Sequence, residues 1–404
     1  MMNKPIFCAL AFGSVNITTE NKYLPCCNVV HGEYKSNYLD LDSPGVPTAR
    51  LNNSWLVDVR RHLNQGIWHE SCSLCEHSEK QGGQSMRNIW NIALADYYIP
   101  ADSVVNPDHV RYISVAFSNK CNSKCMTCSP DSSSLWYEEF NEISQDKYIY
   151  QIIPSTDRIH STPAALLKTF PNAEHISLLG GEPTIAFEHD SLINELVTSN
   201  RSKNVSLTYV TNLTGITDEL LETWKKFKHV TIMASIDGVG LSNEYIRYPF
   251  KWEKIERNLT RLFELSKTDQ ISVGLSCTAG MFNCIDIADL LLYWYNKSKE
   301  YGIDFGVYVN IVTNPEYVVS NIMTDKHRSE GIERLKIVKE LFDADTNLNT
   351  SYSAAVSLLI THLSLPRANS DLINTAKHFI LASDKFRNRS IKDYIPKVWQ
   401  DLFE

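Results

Sequence analysis

Six short apolar runs, at 112–117, 175–179, 205–210, 230–235, 271–276 and 305–311, are separated by stretches whose apolar residues recur every three or four positions. Runs of that length read as buried strands, and the three-to-four spacing reads as one-sided helices. Thr217 to Trp224 is such a helix, with a Thr N-cap and acidic residues in its first turn, and Trp252 to Leu265 and Asp286 to Tyr295 are others. Regular alternation of strand and helix predicts an α/β fold, a partial parallel (β/α)6 barrel over residues 101–325.

The flanks read differently. Residues 1–100 predict a small hairpin-plus-helix domain. Ser14 to Lys22 reads as a hairpin, Gly32 to Pro47 as a linker, and Ser54 to Gly66 as a helix with Trp55, Leu56, Val59 and Leu63 on one face. Residues 326–404 predict a helical C-terminal extension, with helices at Ser329 to Phe342, Ser351 to Leu363 and Asp371 to Leu381. This extension carries no metal signature, and packing against the barrel or covering its substrate side are its two readings. An aromatic, partly helical insertion, Leu135 to Phe170, separates the first two strands and could cover the site.

Composition narrows the class. At 404 residues, with 43% apolar and 21% charged residues, the chain is ordinary for a globular protein with a full core. No run reaches the length of a membrane span, and Cys8 interrupts the short apolar N-terminal run, which argues against a signal peptide. A cytoplasmic protein with no membrane partner is expected. A net charge of −8 argues against a general nucleic-acid surface and favours small molecules or peptides as partners.

Chemistry concentrates in the cysteines. Of ten, seven fall in tight groups: Cys26-Cys27, Cys72 with Cys75, and Cys121, Cys125 and Cys128. Such grouping suits metal sites rather than a disulfide framework. Cys121-Asn-Ser-Lys-Cys125-Met-Thr-Cys128 follows the first predicted strand, and its spacing supplies three thiolates to an iron-sulfur cluster while leaving a fourth iron open. Three buried structural cysteines are the plain alternative. The second predicted strand runs into Gly180-Gly181-Glu182-Pro183, where two glycines allow close backbone approach to a ligand and the carboxylate can accept from an ammonium group.

A CxxxCxxC loop after one strand and GGEP after the next resemble the radical S-adenosylmethionine (radical SAM) superfamily. The resemblance implies that Cys121, Cys125 and Cys128 hold a 4Fe–4S cluster whose open iron binds the methionine moiety of S-adenosyl-L-methionine. Gly180, Gly181, Glu182 and Pro183 would then contact the cofactor's amino group.

Cys8, Cys26, Cys72 and Cys75 would complete a second cluster with no open iron. By ligand count zinc is an equal candidate, and a CxxC pair can also be a redox dithiol. Seventeen residues separate Cys8 from Cys26, and a helix then precedes the CxxC pair. This order resembles the twitch domain, a shortened SPASM domain carrying one auxiliary 4Fe–4S cluster. It stands before the barrel here rather than after it. The run Glu79-x-x-Gly82-x-x-Ser85-x-Arg87 resembles the subgroup with that N-terminal arrangement. Cys27 is an alternative ligand to Cys26.

At the ends of the third and fourth strands stand Thr211-Asn212 and Ser235-Ile236-Asp237-Gly238. Turn chemistry accounts for an isolated Asn or Asp there. The resemblance to SPASM and twitch enzymes instead assigns Thr211, Asn212, Ser235 and Asp237 to cofactor binding. It also assigns Arg247, in Ser242-Asn-Glu-Tyr-Ile-Arg247, to the cofactor carboxylate, against the reading of a surface arginine. Thr278 to Asn283 resembles the loop after the fifth strand, and Cys277 and Cys284 read as core or loop thiols.

Together the resemblance implies one-electron cleavage of S-adenosylmethionine to a 5'-deoxyadenosyl radical, hydrogen abstraction from a substrate, and net oxidation with the auxiliary cluster as electron acceptor or relay. A peptide substrate is expected first, and a sugar or aminocyclitol alcohol second. A flavodoxin or ferredoxin would supply the electron. A non-catalytic iron-sulfur partner and a tRNA or nucleotide modifier are the other readings, and no catalytic base can be chosen.

Overall fold

A computed structural model of the chain describes residues 6–19, 22–29, 46–80, 85–94, 103–143, 162–268 and 270–404. Most of the Gly32 to Pro47 linker, Gly82, and the middle of the 135–170 insertion lie outside the described residues. Two compact units interleave along the sequence. Met1–Ser118, Ser155–Thr208 and Lys226–Lys228 form the first; Asn119–Pro154, Tyr209–Lys225 and His229–Glu404 form the second.

The first unit holds β1 (Ser14–Ile17), β2 (Tyr23–Leu24), β3 (Tyr112–Ala116) and β4 (His175–Leu179). A hairpin forms, but its second strand lies just past the predicted Ser14 to Lys22 range, with Asn16 opposite Leu24 and Ile17 opposite Tyr23. It does not stand alone, because β1 also pairs in parallel with β3, Ser14 opposite Tyr112. β3 in turn pairs in parallel with β4, Tyr112 opposite His175. All four residues of β1 are buried, so this strand is an interior strand of the sheet rather than a solvent-facing ribbon.

The helix Ser54–Asn64 forms where its apolar spacing predicts. Asn53 caps it by accepting the Leu56 N–H. Its buried face is Leu56, Val59 and Leu63, joined by Arg60, which is 1% exposed. Arg60 Nε donates to Ala11 O at 2.6 Å and Nη1 donates to Leu51 O at 2.7 Å, so backbone carbonyls satisfy a charge that the apolar pattern does not anticipate.

β5 (Ser206–Thr211) crosses from the first unit's residues into the second's. The second unit continues with β6 (His229–Ser235), β7 (Ile271–Ala279) and β8 (Val307–Ile311). β6 pairs in parallel with β7, and β7 with β8. The strand order is β2-β1-β3-β4-β5-β6-β7-β8. The six predicted barrel strands are β3 to β8, and the sheet is mostly parallel, as the alternation requires. β7 runs three residues past the prediction, to Ala279, because Thr278 and Ala279 stay in register with Asn310 and Ile311.

The C-terminus is helical, as expected: Asp325–Ala344, Thr350–Leu363, Ser370–Phe386, Ile391–Tyr394 and Pro396–Phe403. Its last helix is tied back through Asp401, whose Oδ2 accepts the Thr324 N–H at 2.8 Å. Among the described residues no helix is long and apolar enough to cross a membrane.

Candidate active site: two cysteine centres

In the second unit, residues 119–136 form a loop that backbone bonds fix on either side of its middle cysteine, Cys125. Lys124 N donates to Tyr248 O at 2.7 Å and Met126 N to Ile246 O at 2.8 Å. Trp136, 1% exposed, donates its indole N–H to Cys125 O at 3.1 Å. Asn122 adds a side-chain clamp: its Nδ2 donates to Thr214 Oγ1, and its Oδ1 accepts from Asn212 Nδ2, both at 2.9 Å. Asn212, which the resemblance assigns to the cofactor, lies against the cysteine loop.

The turn that carries Asn212 is strained. Leu213 has φ +66, uncommon for a residue with a branched side chain. Thr211 Oγ1 accepts the Leu213 N–H at 3.0 Å, and Asn258 Nδ2 donates to Leu213 O at 2.7 Å, so the conformation is held from both sides.

Asp237 and Arg247, both expected at the cofactor, lie together in this unit. Arg247 Nε stands 2.8 Å from Asp237 Oδ2, and its Nη1 is 3.9 Å from Cys125 Sγ. The Asp237 carboxylate is fully buried, and its other oxygen accepts the Thr278 N–H at 2.7 Å. Asn243 and Asn283 grip the Asp237 backbone, Asn243 Oδ1 accepting its N–H and Asn283 Nδ2 donating to its carbonyl. Asp237 therefore positions Arg247 beside the loop. Ser235 sits at the end of β6, in register with Ser276.

Charge follows this geometry. Cys125 is drawn down, chiefly by the hydrogen bond from Cys128 and further by Arg247, while Cys128 is pushed well up by that same bond and by burial. One thiol of the pair is thus poised to ionise. Cys121 is half-buried, and Cys277 and Cys284 are buried core thiols, as their lack of ligand spacing suggested.

In the first unit, β4 ends in the GGEP turn. Gly180 has φ +111, and a Cβ there would lie 2.6 Å from Ser118 O, so no side chain fits. Gly181 N donates to the same oxygen at 3.0 Å. Glu182 is 1% exposed and caps the short turn Pro183–Ile185, accepting Thr184 N–H at 3.2 Å and Thr184 Oγ1–H at 2.5 Å. Phe117, Ser118, Leu178, Glu182 and His189 line a small pocket there.

The first unit also gathers the N-terminal cysteines. Cys8, Cys26, Cys72 and Cys75 all line one pocket, with Arg87, Trp68 and Val59. Cys27 is exposed and does not line it. Ser85 caps the helix Met86–Ala93, and its hydroxyl also donates to Glu79 Oε1 at 2.5 Å. Burial pushes Cys8 up to about 11 and Cys72 up to about 12.

Sulfur spacing tests the choice of metal. Four thiolates on one zinc, each at about 2.3 Å, would stand about 3.8 Å apart. Among the described residues no three of these sulfurs lie mutually within 4.8 Å, and neither do those of Cys121, Cys125 and Cys128. Both sets are more open than a single-ion site. A tighter group that the sequence did not suggest is Asp58, His62 and His69. His69 Nδ1 accepts the Ser71 N–H at 3.1 Å, which leaves the ring proton on Nε2, 3.3 Å from Asp58 Oδ2. A protonated ring nitrogen is no ligand, and the group is a capping device.

The family model described as Radical SAM superfamily matches residues 115–281. No curated protein matches the sequence. Among solved structures, "Native anSMEcpe with bound AdoMet" is 18% identical with TM-score 0.40, over 58% of this chain and 60% of that one. Streptococcus suis SuiB bound to S-adenosylmethionine is 14% identical with TM-score 0.37, over 73% and 62%. TYW1 with a lysine-pyruvate adduct is 16% identical with TM-score 0.32, over 68% and 89%. The match thus spans less than two thirds of the first two neighbours' own length, and at these scores none bears on activity or substrate. The family-model match runs from the end of β3 through β7 and includes both the three-cysteine loop and the GGEP turn; residues 115–281 are thus a radical SAM superfamily domain, of the kind that uses a 4Fe–4S cluster and S-adenosylmethionine.

Proposed function

We propose that this chain is a radical SAM enzyme that cleaves S-adenosylmethionine reductively, removes a hydrogen atom from its substrate, and oxidises that substrate with the help of an auxiliary 4Fe–4S cluster. The observation that carries the auxiliary site is the convergence of Cys8, Cys26, Cys72 and Cys75 on one pocket, with Cys27 outside it.

The chain's own residues divide the work. Cys121, Cys125 and Cys128 hold the first cluster, which when bound supplies the electron for cofactor cleavage. Arg247 stabilises the Cys125 thiolate, and Asp237 aims Arg247. Glu182, buried at the end of β4, offers a carboxylate to the cofactor's ammonium group. Gly180 lets the turn close against the Ser118 carbonyl and so sets the backbone that carries Glu182. Ser235 and Thr211 stand at strand ends where parallel sheets present their ligand-binding groups.

Four thiolates leave no iron open, so the auxiliary cluster suits electron transfer rather than substrate coordination. A peptide is the first substrate class to test and a sugar or aminocyclitol alcohol the second, with a flavodoxin or ferredoxin as donor. The test is uncoupled formation of 5'-deoxyadenosine with dithionite. Cys125→Ala should abolish it, whereas Cys72→Ala and Cys75→Ala should retain it. Product from Cys125→Ala would contradict the assignment, and equal loss in all three would contradict the division of labour.

A further inference from the structure

The C-terminal extension carries two arginines into the second unit's interior. Arg387 has a fully buried side chain, and its Nε stands 2.8 and 3.0 Å from the two oxygens of Glu139, whose side chain is equally buried. Arg387 Nη1 donates to Met126 Sδ at 3.2 Å. Arg389 Nη2 reaches the same sulfur at 3.7 Å and donates to Tyr245 O at 3.0 Å. Met126 lies between Cys125 and Cys128 and is fully buried. Aromatic rings hold both guanidinium groups: Arg387 lies 4.6 Å from the Trp136 ring and 4.9 Å from Tyr248, and Arg389 lies 4.1 Å from Tyr245.

Among the described residues the charges here do not cancel. Lys124, Arg387 and Arg389 are three cations; Lys124 Nζ meets Glu139 Oε2 at 2.9 Å, and Asp384 is the other carboxylate, 4.0 Å from Arg389 Nε. Arg247 and Asp237 form a neutral pair of their own. Asp384 already accepts the Tyr245 hydroxyl and the Ile391 N–H. Arg387 Nη2 is buried without a hydrogen-bond partner among the described residues. Buried excess charge and an unsatisfied donor are costly unless an anion lies near.

We propose that Arg387 and Arg389 are positioning residues for the three-cysteine centre: they seat Met126 and thereby its flanking cysteines, and their net positive charge raises the reduction potential of the anionic cluster held there. The inference rests on the reading of that loop as a cluster site. It gives the C-terminal extension a part in the redox chemistry rather than in packing alone. Net charge and hydrogen bonding around a cluster set its potential, and a cation nearby favours the reduced, more negative form.

The test uses the full chain, reconstituted anaerobically, as wild type, Arg389→Gln, Arg389→Lys and Met126→Leu. Iron content is counted, and the EPR signal that S-adenosylmethionine perturbs is followed through a redox titration. Arg389→Gln should keep its iron but show a lower midpoint, with roughly threefold less cluster reduced at the wild-type midpoint; Arg389→Lys should stay close to wild type. Met126→Leu preserves volume and charge, so its midpoint should hold while iron release to a chelator quickens. An unchanged midpoint in Arg389→Gln, equal shifts in Gln and Lys, or unchanged iron release from Met126→Leu overturns the inference. A wild-type chain with no signal that responds to S-adenosylmethionine overturns instead the functional reading on which it rests.

Discussion

Glu79 and Arg87 face each other in a two-pronged ion pair, Arg87 Nε to Oε1 at 2.9 Å and Nη2 to Oε2 at 2.5 Å, while Arg87 Nη1 donates to Phe7 O at 2.5 Å. The pair fastens the backbone beside Cys8 to the segments after Cys75, and the guanidinium lines the cysteine cavity. Glu79→Gln should cost about 1.5–3 kcal/mol, the range for a charge-assisted bond. It should also quicken iron loss from the proposed auxiliary site without touching 5'-deoxyadenosine formation. Denaturant unfolding and chelator-driven iron release measure the two effects; release at the wild-type rate would refute the fastening role.

Asp237→Asn strands Arg247 in a buried position without its counter-charge. Breaking a buried pair from one side costs about 3–5 kcal/mol. The variant should unfold at lower denaturant and lose at least tenfold in S-adenosylmethionine cleavage, about 1.4 kcal/mol of barrier. Cleavage at the wild-type rate would show that Arg247 needs no aiming by Asp237.

Gly180→Ala tests the GGEP turn. With φ +111 and a backbone oxygen 2.6 Å from the would-be Cβ, the turn must shift to accept a methyl group. The expected cost is roughly 1–3 kcal/mol by urea unfolding. A loss within experimental error would mean that the turn relaxes freely.

The pH dependence of the metal-free chain has a fixed sign. Burial raises Cys8 from its ordinary 9.0 to about 11 and Cys72 from 9.0 to about 12. Above about pH 9 the unfolded chain releases protons that the folded chain keeps, so stability present below 9 is lost as pH rises through 11 to 12. The midpoint of thermal unfolding of metal-free protein should therefore fall between pH 9 and 11, and fall less in Cys8→Ser/Cys72→Ser. An equal fall in the variant would assign the effect to other groups.

Local patterns carried much of this fold. The strands β3 to β8 are legible because Val, Ile and Leu cluster in short runs, and the Ser54–Asn64 helix because its apolar residues share a face. The resemblance to the twitch domain grouped four N-terminal cysteines, and the structure brings them to one pocket. What stayed hidden is long-range. Arg387 and Met126 are 261 positions apart, and nothing local in Asp384-Lys-Phe-Arg387-Asn-Arg389 points to a cysteine loop. Asn122 meets Asn212 across 90 positions for the same reason. Arg60 was invisible because its partners are carbonyls, which every residue has.

The central claim is that one chain holds two iron-sulfur clusters, and metal analysis tests it most directly. Anaerobically reconstituted wild type should bind about eight irons per chain, falling to about four in Cys72→Ala/Cys75→Ala and to about four in Cys121→Ala/Cys125→Ala. About four irons and one zinc in wild type, with the zinc lost from Cys72→Ala/Cys75→Ala, would contradict it.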